Sequence, residues 1–534
     1  MASVTCGEPL KSSALRPCHK PANRRAIPLK NRFTQNPERS DKHNNKDHNA
    51  LFLKTTQIIA TQTNRKYRYI NRFTNHFRTS MPTPLDLVTA LGTGPLPASA
   101  LAERLGVSRP TLSRLVAAAG DQVIRYGLAR ATTYAARRRL AGGTHWPIYR
   151  VGEDGRSASI AVLHTVAGGY LAELQEEERF EFSESLPWWL QDMRPQGFLG
   201  RAFAHRHASR LALPEPLGLW NDDHALIALS ALGDDTPGNL LLGDAALADY
   251  LAGTGTPAIP RAGRASRYPA LAATALAGEA PGSSAGGEQP KFTAVIDDGR
   301  QAQAVLVKFS SAAGNPISRR WASLLVAEHH ALEALRTAGV SASLSELIEA
   351  NGQTFLQIER FDRLPLPADG KPGHATRMGR RGVVSLAALD DALVGAADQA
   401  WPHITQRLLA LGHITPEAHR HAERLYAFGL LIGNTDMHRG NLGFLHTGGM
   451  LQPAPAYDML PMHYAPRASG EMNHTAPDIR FRSPPALGAW QSMLPVAQAW
   501  ADIAANDTRI DDEMRSAIRT QANNLEKLAA SLSP

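Results

Sequence analysis

Cysteine is nearly absent from this chain. Its 534 residues include two, Cys6 and Cys18, and none from Met81 onward. That excludes a disulfide framework, thiolate catalysis and zinc ribbons from the body of the protein. The missing disulfides fit a reducing compartment, so a cytoplasmic protein is expected. No run of 18 or more apolar residues occurs, which argues against a membrane-spanning helix. Aromatic residues are sparse at 6%, yet apolar residues make up 43% and charged residues 20%. Those proportions suit a chain with a sizeable core and exclude wholesale disorder or a fibrous repeat. Acidic residues are scarce at the start. Residues 1–80 hold 16 Lys and Arg against Glu8, Glu38, Asp41 and Asp47, a net of +12, so the remaining residues carry −4 of the total of +8.

Residues 1–80 have little apolar periodicity and are rich in Asn, His, Lys and Arg. No apolar segment follows the early basic residues, which excludes a secretory signal. Three readings stand: a basic arm that touches nucleic acid, an Arg-rich transit peptide, or sequence upstream of a true start at Met81, where the composition changes abruptly. Disorder is expected in all three.

The length predicts three to four domains. Residues 81–147 read as a helical unit followed by a hairpin. Pro97-Ala98-Ser99 opens a helix with Leu101 and Leu105 on one face, and Gly106 ends it. Ser108 caps a second helix with Pro110 in its first turn. Two short strands, Val123–Gly127 and Ala129–Tyr134, are expected around Gly127. Helix, glycine turn, helix and β-wing is the order of a winged helix-turn-helix. The second helix offers Ser108, Arg109, Thr111, Ser113 and Arg114 as donors to phosphates and base edges. Arg125 and Arg130 on the wing and Arg137-Arg138-Arg139 beyond it add charge. Duplex DNA is therefore the expected partner of this unit, bound by a dimer.

Trp146, Trp188, Trp189 and Trp220 suggest a packed mixed domain next. Gly253–Ser284 is rich in Ala, Gly and Pro and reads as loop or linker.

Four segments further on bear chemistry. Ser283-Ser284-Ala285-Gly286-Gly287-Glu288-Gln289-Pro290-Lys291 is a glycine-rich turn leading into a strand from Phe292 to Ile296. Glycines let backbone N–H groups approach phosphate oxygens, although a strand rather than a helix follows, unlike a P-loop. Ala304–Phe309 is an apolar strand containing Lys308, a cation that needs an anionic partner if buried. Glu328 and Glu333, on the helix expected over Trp321–Arg336, are candidates, and Glu328 is the better placed. Phe355–Arg363 is an alternating strand running into the charged turn Glu359-Arg360-Phe361-Asp362-Arg363. Finally, Asp436 and Asn441 in Asp436-Met437-His438-Arg439-Gly440-Asn441 have the D-x-x-x-x-N spacing of a kinase catalytic loop, with Tyr457-Asp458 following at the place of a second metal-binding carboxylate. Oxygen donors without sulfur suit Mg²⁺. His413, His419 and His421 near Glu417, and the pair His329-His330, lack H-E-x-x-H spacing and read as a His-rich surface helix rather than a metal site.

At Gly286–Lys291, Lys308, Ile358–Arg363, Gly433–Asn441 and Tyr457-Asp458 the chain resembles the HipA family of bacterial Ser/Thr kinases, the toxins of toxin–antitoxin modules. With the helix-turn-helix in front it looks most like the YjjJ-type subgroup. The resemblance implies an α+β, two-lobed protein-kinase-like fold using ATP and Mg²⁺ to phosphorylate protein serines. The implied division is a basic extension over 1–80, the DNA-binding unit over 81–147, an N-terminal subdomain over 148–270, a nucleotide-binding N-lobe over 271–363 and a mainly helical C-lobe over 364–534. It implies Asp436 as the base and Asn441 and Asp458 as metal ligands. Lys308 would hold phosphates, and Glu359 and Phe361 the adenine. Gly286, Gly287, Gln289, Lys291, Arg360, His438 and Tyr457 complete the nucleotide set. It further implies autophosphorylation of Ser284. Pro290 stands where some members have Glu and supplies no N–H. The fused DNA-binding unit leaves a separate antitoxin an open question. Two other readings are a small-molecule phosphotransferase and a transcription regulator whose kinase fold only senses nucleotide.

Overall fold

A computed structural model describes residues 81–253, 257–277, 289–366, 377–467 and 469–532. Residues 1–80 and the glycine-rich turn with Ser283, Ser284, Gly286 and Gly287 lie outside the described residues. Among the described residues no helix is long and apolar enough to cross a membrane.

The first elements are α1 (Pro84–Ala90), β1 (Leu96–Pro97), α2 (Ala98–Leu105), α3 (Arg109–Ala119), β2 (Val123–Tyr126) and β3 (Thr133–Ala136). Thr83 and Asp86 cap α1 reciprocally. Gly106 ends α2 at φ 67°, and Ser108 caps α3, accepting from Thr111 N. Leu87, Leu91, Leu101, Leu105, Leu112 and Leu115 meet in one core beneath a sheet ordered β1-β3-β2. The second strand begins at Thr133 rather than at Ala129. Gly127 (φ 74°) and Ala129 (φ 50°) take left-handed backbone, and residues 129–131 close a tight turn instead.

A five-stranded antiparallel sheet follows, ordered β7-β6-β5-β4-β8, from β4 (His145–Val151), β5 (Ser157–Val166), β6 (Gly169–Leu174), β7 (Arg179–Ser183) and β8 (Leu240–Leu242). α4 (Gly197–His207) buries Phe198 with Ile259 and Phe292, whereas the sheet packs with α5 (Asp222–Leu232) around Trp146, Ile148, Leu163, Leu186, Leu226 and Leu229, and with α6 (Gly243–Ala252) around Val151, Leu241, Ala246 and Tyr250. Trp188 packs instead against the C-terminal helical core.

The stretch expected to be a linker holds β9 (Ile259–Pro260) and a 13-residue helix, α7 (Arg264–Leu276). Alanine carries the highest helix propensity, and Tyr268, Ala272 and Ala275 bury one face against Phe292 and Phe355. The composition that suggested a loop is that of a small-faced helix lying flat on a sheet. That sheet is ordered β12-β13-β11-β10-β9, with β10 (Lys291–Asp297), β11 (Ala302–Phe309), β12 (Ser345–Ala350) and β13 (Gln353–Glu359). Between β11 and β12 runs α8 (Pro316–Thr337), capped by Asn315.

The remainder is mainly helical: α9 (Trp401–Ala410), α10 (Pro416–Ile432), α11 (Leu487–Asn506) and α12 (Asp512–Leu532). A small sheet pairs Gly382–Ser385, Gly443–His446 and Gln452–Pro453. α8 is tied to the last two helices and the turn between them. Arg320 Nε meets Asp511 Oδ2 at 2.8 Å, His330 Nε2 meets Asp507 Oδ2 at 2.7 Å, and Trp500 Nε1 donates to Ala327 O at 3.1 Å.

His421 on α10 is buried, not at the surface, and among the described residues its Nε2 has no hydrogen-bond partner. Burial, then Arg424, pushes it down to about 4. A depressed folded value means the unfolded chain binds more protons, so this contribution to stability is present above about 6.5 and lost as pH falls toward 4. It amounts to about 3 kcal/mol across that window. His421→Leu should flatten the loss, read as urea midpoints at pH 7 and pH 5 for both proteins.

Candidate functional site

In the β10–β11 pair, Lys291 stands directly opposite Lys308. Opposed residues of an antiparallel pair project to one face, where like charges repel. Carboxylates offset that repulsion here. Lys308 Nζ donates to Glu328 Oε1 and Oε2 at 2.6 and 2.8 Å, and to Asp458 Oδ1 at 2.5 Å. Glu328 comes from the buried face of α8 and is fully enclosed. Glu333 lies elsewhere on α8 and pairs with Arg336 at 2.9 Å. Of the two glutamates the sequence offers, Glu328 is thus the partner.

Burial works against the Lys308 ammonium, but Asp458 and Glu328 more than offset it and hold its pKa above the ordinary value. Burial also pushes the Glu328 carboxyl up, to about 7, because Lys308 counters only part of it and Asp458 adds repulsion. Asp458 is likewise desolvated, yet Lys308 and Lys291 bring it down to about 2. Asp458 sits at φ 58°, a left-handed backbone that Asp tolerates better than most residues. Non-glycine residues in that region cluster at functional sites.

Asp436 lies exposed just after α10, in a loop held at every turn. Asn434 Oδ1 accepts from Asp436 N at 3.0 Å, while Asn434 Nδ2 donates to Asp458 O at 3.3 Å. Asn441 Nδ2 donates to Asp436 O at 2.8 Å, and Tyr457 OH donates to Gly440 O at 2.8 Å. Trp401 Nε1 donates to His438 O at 3.1 Å, and His438 Nδ1 accepts from Gly440 N at 3.0 Å. Asn434 therefore links the segments of Asp436 and Asp458. Its signal in sequence is an Asn two residues before Asp436, the position of an Asx turn.

Among the described residues no group of three His, Cys, Asp or Glu side chains could hold a metal ion. A hard cation would instead find Asp458 and Asn441. The Asn441 amide nitrogen is committed to Asp436 O, which leaves Oδ1 as an oxygen donor, and the Asp458 carboxylate is held ionised. Such a set fits Mg²⁺, which takes few protein oxygens and keeps water and phosphate for the rest.

Gln289 leads into β10. It is 7% exposed, and among the described residues neither side-chain polar atom has a partner. Buried amides without partners are costly. Beyond β13, the Phe361 and Tyr457 rings lie 5.8 Å apart. Glu359 N donates to Leu344 O. Arg360 is placed differently from an open ligand-binding residue. Its guanidinium bonds Asp235 and Asp362, and its N–H bonds Ala304 O.

The structure thus brings Gln289, Lys291, Lys308, Asp436, His438, Asn441, Tyr457 and Asp458 around one face, with Glu359 and Phe361 at the end of β13. Gly286, Gly287 and Ser284 lie outside the described residues. Three carboxylates at the margins have no signal in the sequence. Asp390 Oδ2 accepts from Arg439 Nη1 at 2.6 Å. Asp192 accepts from Ser385 N and Oγ, both at 2.6 Å. Asp235 holds Arg360.

Residues 142–251 match the family model "YjjJ-like toxin, middle domain", and residues 283–529 match "HipA-like C-terminal domain". Toxin YjjJ of Escherichia coli strain K12 is 36% identical over 433 residues, covering 80% of this chain and 95% of that protein. Among solved structures, a chain of the Shewanella oneidensis MR-1 toxin–antitoxin complex of HipA, HipB and operator DNA aligns with a TM-score of 0.45 at 16% identity, over 72% of this chain and 96% of its own. The Helicobacter pylori proinflammatory kinase CtkA aligns with a TM-score of 0.31 at 13% identity, over 46% and 89%. With that identity over most of its length, and both domain models in register, the chain belongs to the HipA-like toxin family, with the middle domain of its YjjJ-like members.

Proposed function

We propose that this HipA-like toxin is an ATP- and Mg²⁺-dependent protein serine/threonine kinase with a two-lobed kinase-like body and a winged helix-turn-helix that binds duplex DNA. The observation that carries the kinase reading is the Lys308 ammonium held between Glu328 and Asp458, with Asp436 and Asn441 on the adjoining loop. A strand lysine paired with a helix glutamate positions nucleotide phosphates in protein kinases. Lys308 and Lys291 would meet the phosphates, Gln289 the nucleotide at the loop base, and Glu359 and Phe361 the adenine, with the Tyr457 ring beside Phe361. Asp458 and Asn441 would hold Mg²⁺, which when bound neutralises charge between the β- and γ-phosphates. Asp436 would accept the proton of the attacking hydroxyl of a protein substrate. Ser284, in the glycine-rich turn, would be the autophosphorylated residue. Its phosphate would add about −1.5 to −2 charges beside the phosphate-binding backbone, so phosphorylated protein should bind ATP more weakly.

Incubation with γ-labelled ATP and Mg²⁺, followed by mapping of the labelled residue, tests this. Label on Ser284 that is lost in Ser284→Ala supports the reading. Tight nucleotide binding with no transfer to any residue or protein would instead favour the nucleotide-sensing regulator.

For DNA, the observation is α3, capped by Ser108, which presents Arg109, Ser113 and Arg114 to solvent, with Thr111 half-buried beside them. Ser108 is occupied in capping, so its side chain is a positioner. Arg137 and Arg138 do not belong to this surface. Arg137 bonds His164 Nδ1 at 3.0 Å, and Arg138 bonds Asp223. The HipA homologue was solved with HipB and operator DNA. In this chain the fused unit would contact DNA itself, and the purified chain alone should bind. Arg109→Ala and Arg114→Ala should each lower the slope of log K against log salt by roughly 1. An unchanged slope in both would exclude α3 as the DNA-contacting helix.

A further inference from the structure

α5 and the turn after it contact two segments far apart in sequence, around Arg138 and around Arg360. Its first turn carries Asp222 and Asp223. Asp223 accepts from Arg138 Nη2 at 2.8 Å and from Tyr170 OH at 2.6 Å. Arg138 lies two residues beyond β3, at the seam where the DNA-binding unit joins the middle sheet. That seam is tight. Ile124 and Ala135 pack on Val166 and Leu171, Arg138 N donates to Thr165 O at 2.9 Å, and Ala167 N donates to Ala136 O at 2.8 Å. The DNA-binding unit is therefore docked on the middle sheet, and Asp223 fastens the dock.

The other end of α5 reaches the segment after β13. At Gly233 a Cβ would meet Leu229 O at 2.3 Å, so only glycine allows the chain to leave the helix there. The turn delivers Asp234, Asp235, Thr236 and Gly238 to Arg360–Arg363. Asp235 Oδ1 accepts from Arg360 Nη1 at 2.7 Å and Arg363 Nη2 at 3.1 Å. Gly238 N donates to Asp362 Oδ2 at 2.9 Å, and Gly238 O accepts from Arg363 Nη1 at 2.8 Å. Arg360 stands between Glu359 and Phe361, the residues assigned to the nucleotide base. Eleven helical residues span about 16 Å, and Ala225, Leu226, Ala228 and Leu229 bury α5 in the middle-domain core. It is a stiff strut with a carboxylate latch at each end.

The latch on the nucleotide side has a second arrangement within reach. Arg380 is 5% exposed and bonds the Asp234 carbonyl, and among the described residues its Nε and Nη1 have no hydrogen-bond partner. Arg360, Arg363 and Arg380 crowd Asp235, and burial with Arg363 lowers Arg380 to about 9. A movement that draws Arg360 away from Asp235 would give Arg380 the acceptor it lacks. Such an exchange of Asp235 between Arg360 and Arg380 would supply the two-state element that coupling between distant sites requires.

We propose that α5 makes DNA affinity and nucleotide affinity interdependent, with Asp235 the positioning residue of the base-binding segment and Asp223 the anchor of the DNA-binding unit. The inference rests on the function proposed above and names a regulation of it. Linkage demands that each ligand change the affinity for the other by the same factor, in the range of about 5 to 150.

The test uses the full chain, a duplex selected on it from a random 20-bp library, and the non-hydrolysable analogue AMP-PNP with Mg²⁺. The Kd for duplex should shift on saturation with AMP-PNP, and the Kd for AMP-PNP should shift by the same factor on saturation with duplex. Asp223→Asn should bring both factors to near 1 while leaving each separate Kd close to wild type. Asp235→Asn should abolish the coupling and raise KM for ATP with a smaller change in kcat, and Asp235→Glu should restore both. Wild-type factors indistinguishable from 1, or full coupling in Asp223→Asn, would overturn the inference while leaving the kinase and DNA readings intact. A chain that binds AMP-PNP but no duplex fails the DNA reading and is scored by hydrogen exchange. Altered exchange across residues 137–167 on adding AMP-PNP supports the strut, and unchanged exchange there overturns it. A chain that binds neither probe overturns the proposed function and this inference together.

Discussion

Asp436→Asn should lower phosphoryl transfer by roughly 10²–10⁴ and leave AMP-PNP affinity nearly unchanged. The substitution keeps the side-chain shape but removes the base, and loss of positioned general-base catalysis is worth that range. The loop should survive it, because its anchors are other atoms. Asn434 Oδ1 takes the Asp436 N–H, Asn441 Nδ2 takes the Asp436 carbonyl, and Trp401 and Tyr457 take His438 O and Gly440 O. Asp458→Ala should behave differently, because Asp458 touches Lys308 directly. There the Mg²⁺ dependence of nucleotide binding itself should disappear. Asp436→Asn transferring phosphate at the wild-type rate, measured in single turnover, would remove Asp436 from the chemistry.

Lys308→Met should cost about 3–5 kcal/mol of stability as well as activity. Removing one partner of a buried ion pair leaves the other desolvated and unpaired, and that is the expensive outcome. Glu328 has no exposure, and Lys308 is the cation it bonds. The double variant Lys308→Met/Glu328→Gln should recover most of the stability and none of the activity, since the charge is gone but so is the phosphate anchor. The pH dependence has a definite sign. Glu328 already lies above its ordinary value, near 7. A raised folded value means that the folded state binds the extra proton, so its contribution to stability is present below about 4.5 and lost as pH rises through 7. Lys308→Met raises Glu328 further, so the deficit should shrink as the pH is lowered from 8 to 6. Urea midpoints of the single and double variants at both pH values check this. A double variant as unstable as the single one would place the cost in packing rather than charge.

How much of this was legible in the chain depends on the range of the interaction. Local chemistry spoke clearly. Ser108 with Pro110 opened a helix, Gly106 closed one, and Asp436 with Asn441 marked a loop by spacing alone. Local chemistry also misled where two outcomes share a composition. The Ala-rich run before the glycine turn reads as linker until Tyr268 finds Phe292 and Phe355 to bury against. The strand expected from Ala129 lost its first residues to left-handed backbone at the turn. His421 looked like a surface histidine because its helix is polar elsewhere, and only the packed core reveals which face it occupies.

The sequence by itself determined the limits of α2 and α3 at their caps, the glycine turns, the loop of Asp436 and Asn441 and the family, because each depends on residues a few positions apart or on motifs kept in order, whereas α8, expected from Trp321, begins at Pro316 behind the Asn315 cap. Tertiary structure alone decided which acid meets which base. Glu328 rather than Glu333 reaches Lys308 because of how α8 is rotated against the sheet, and Lys291 faces Lys308 because of the β10–β11 register. Asp235 holds Arg360 across 125 residues, and Asp192 holds Ser385 across 193. Arg138 lies in a basic run that reads as a DNA surface, yet it is spent on Asp223, 85 residues away. Periodicity and capping report only the neighbouring turns of chain, whereas the partner of a buried charge is set by where a distant segment returns, and the cost of leaving that charge unpaired is what makes the return specific.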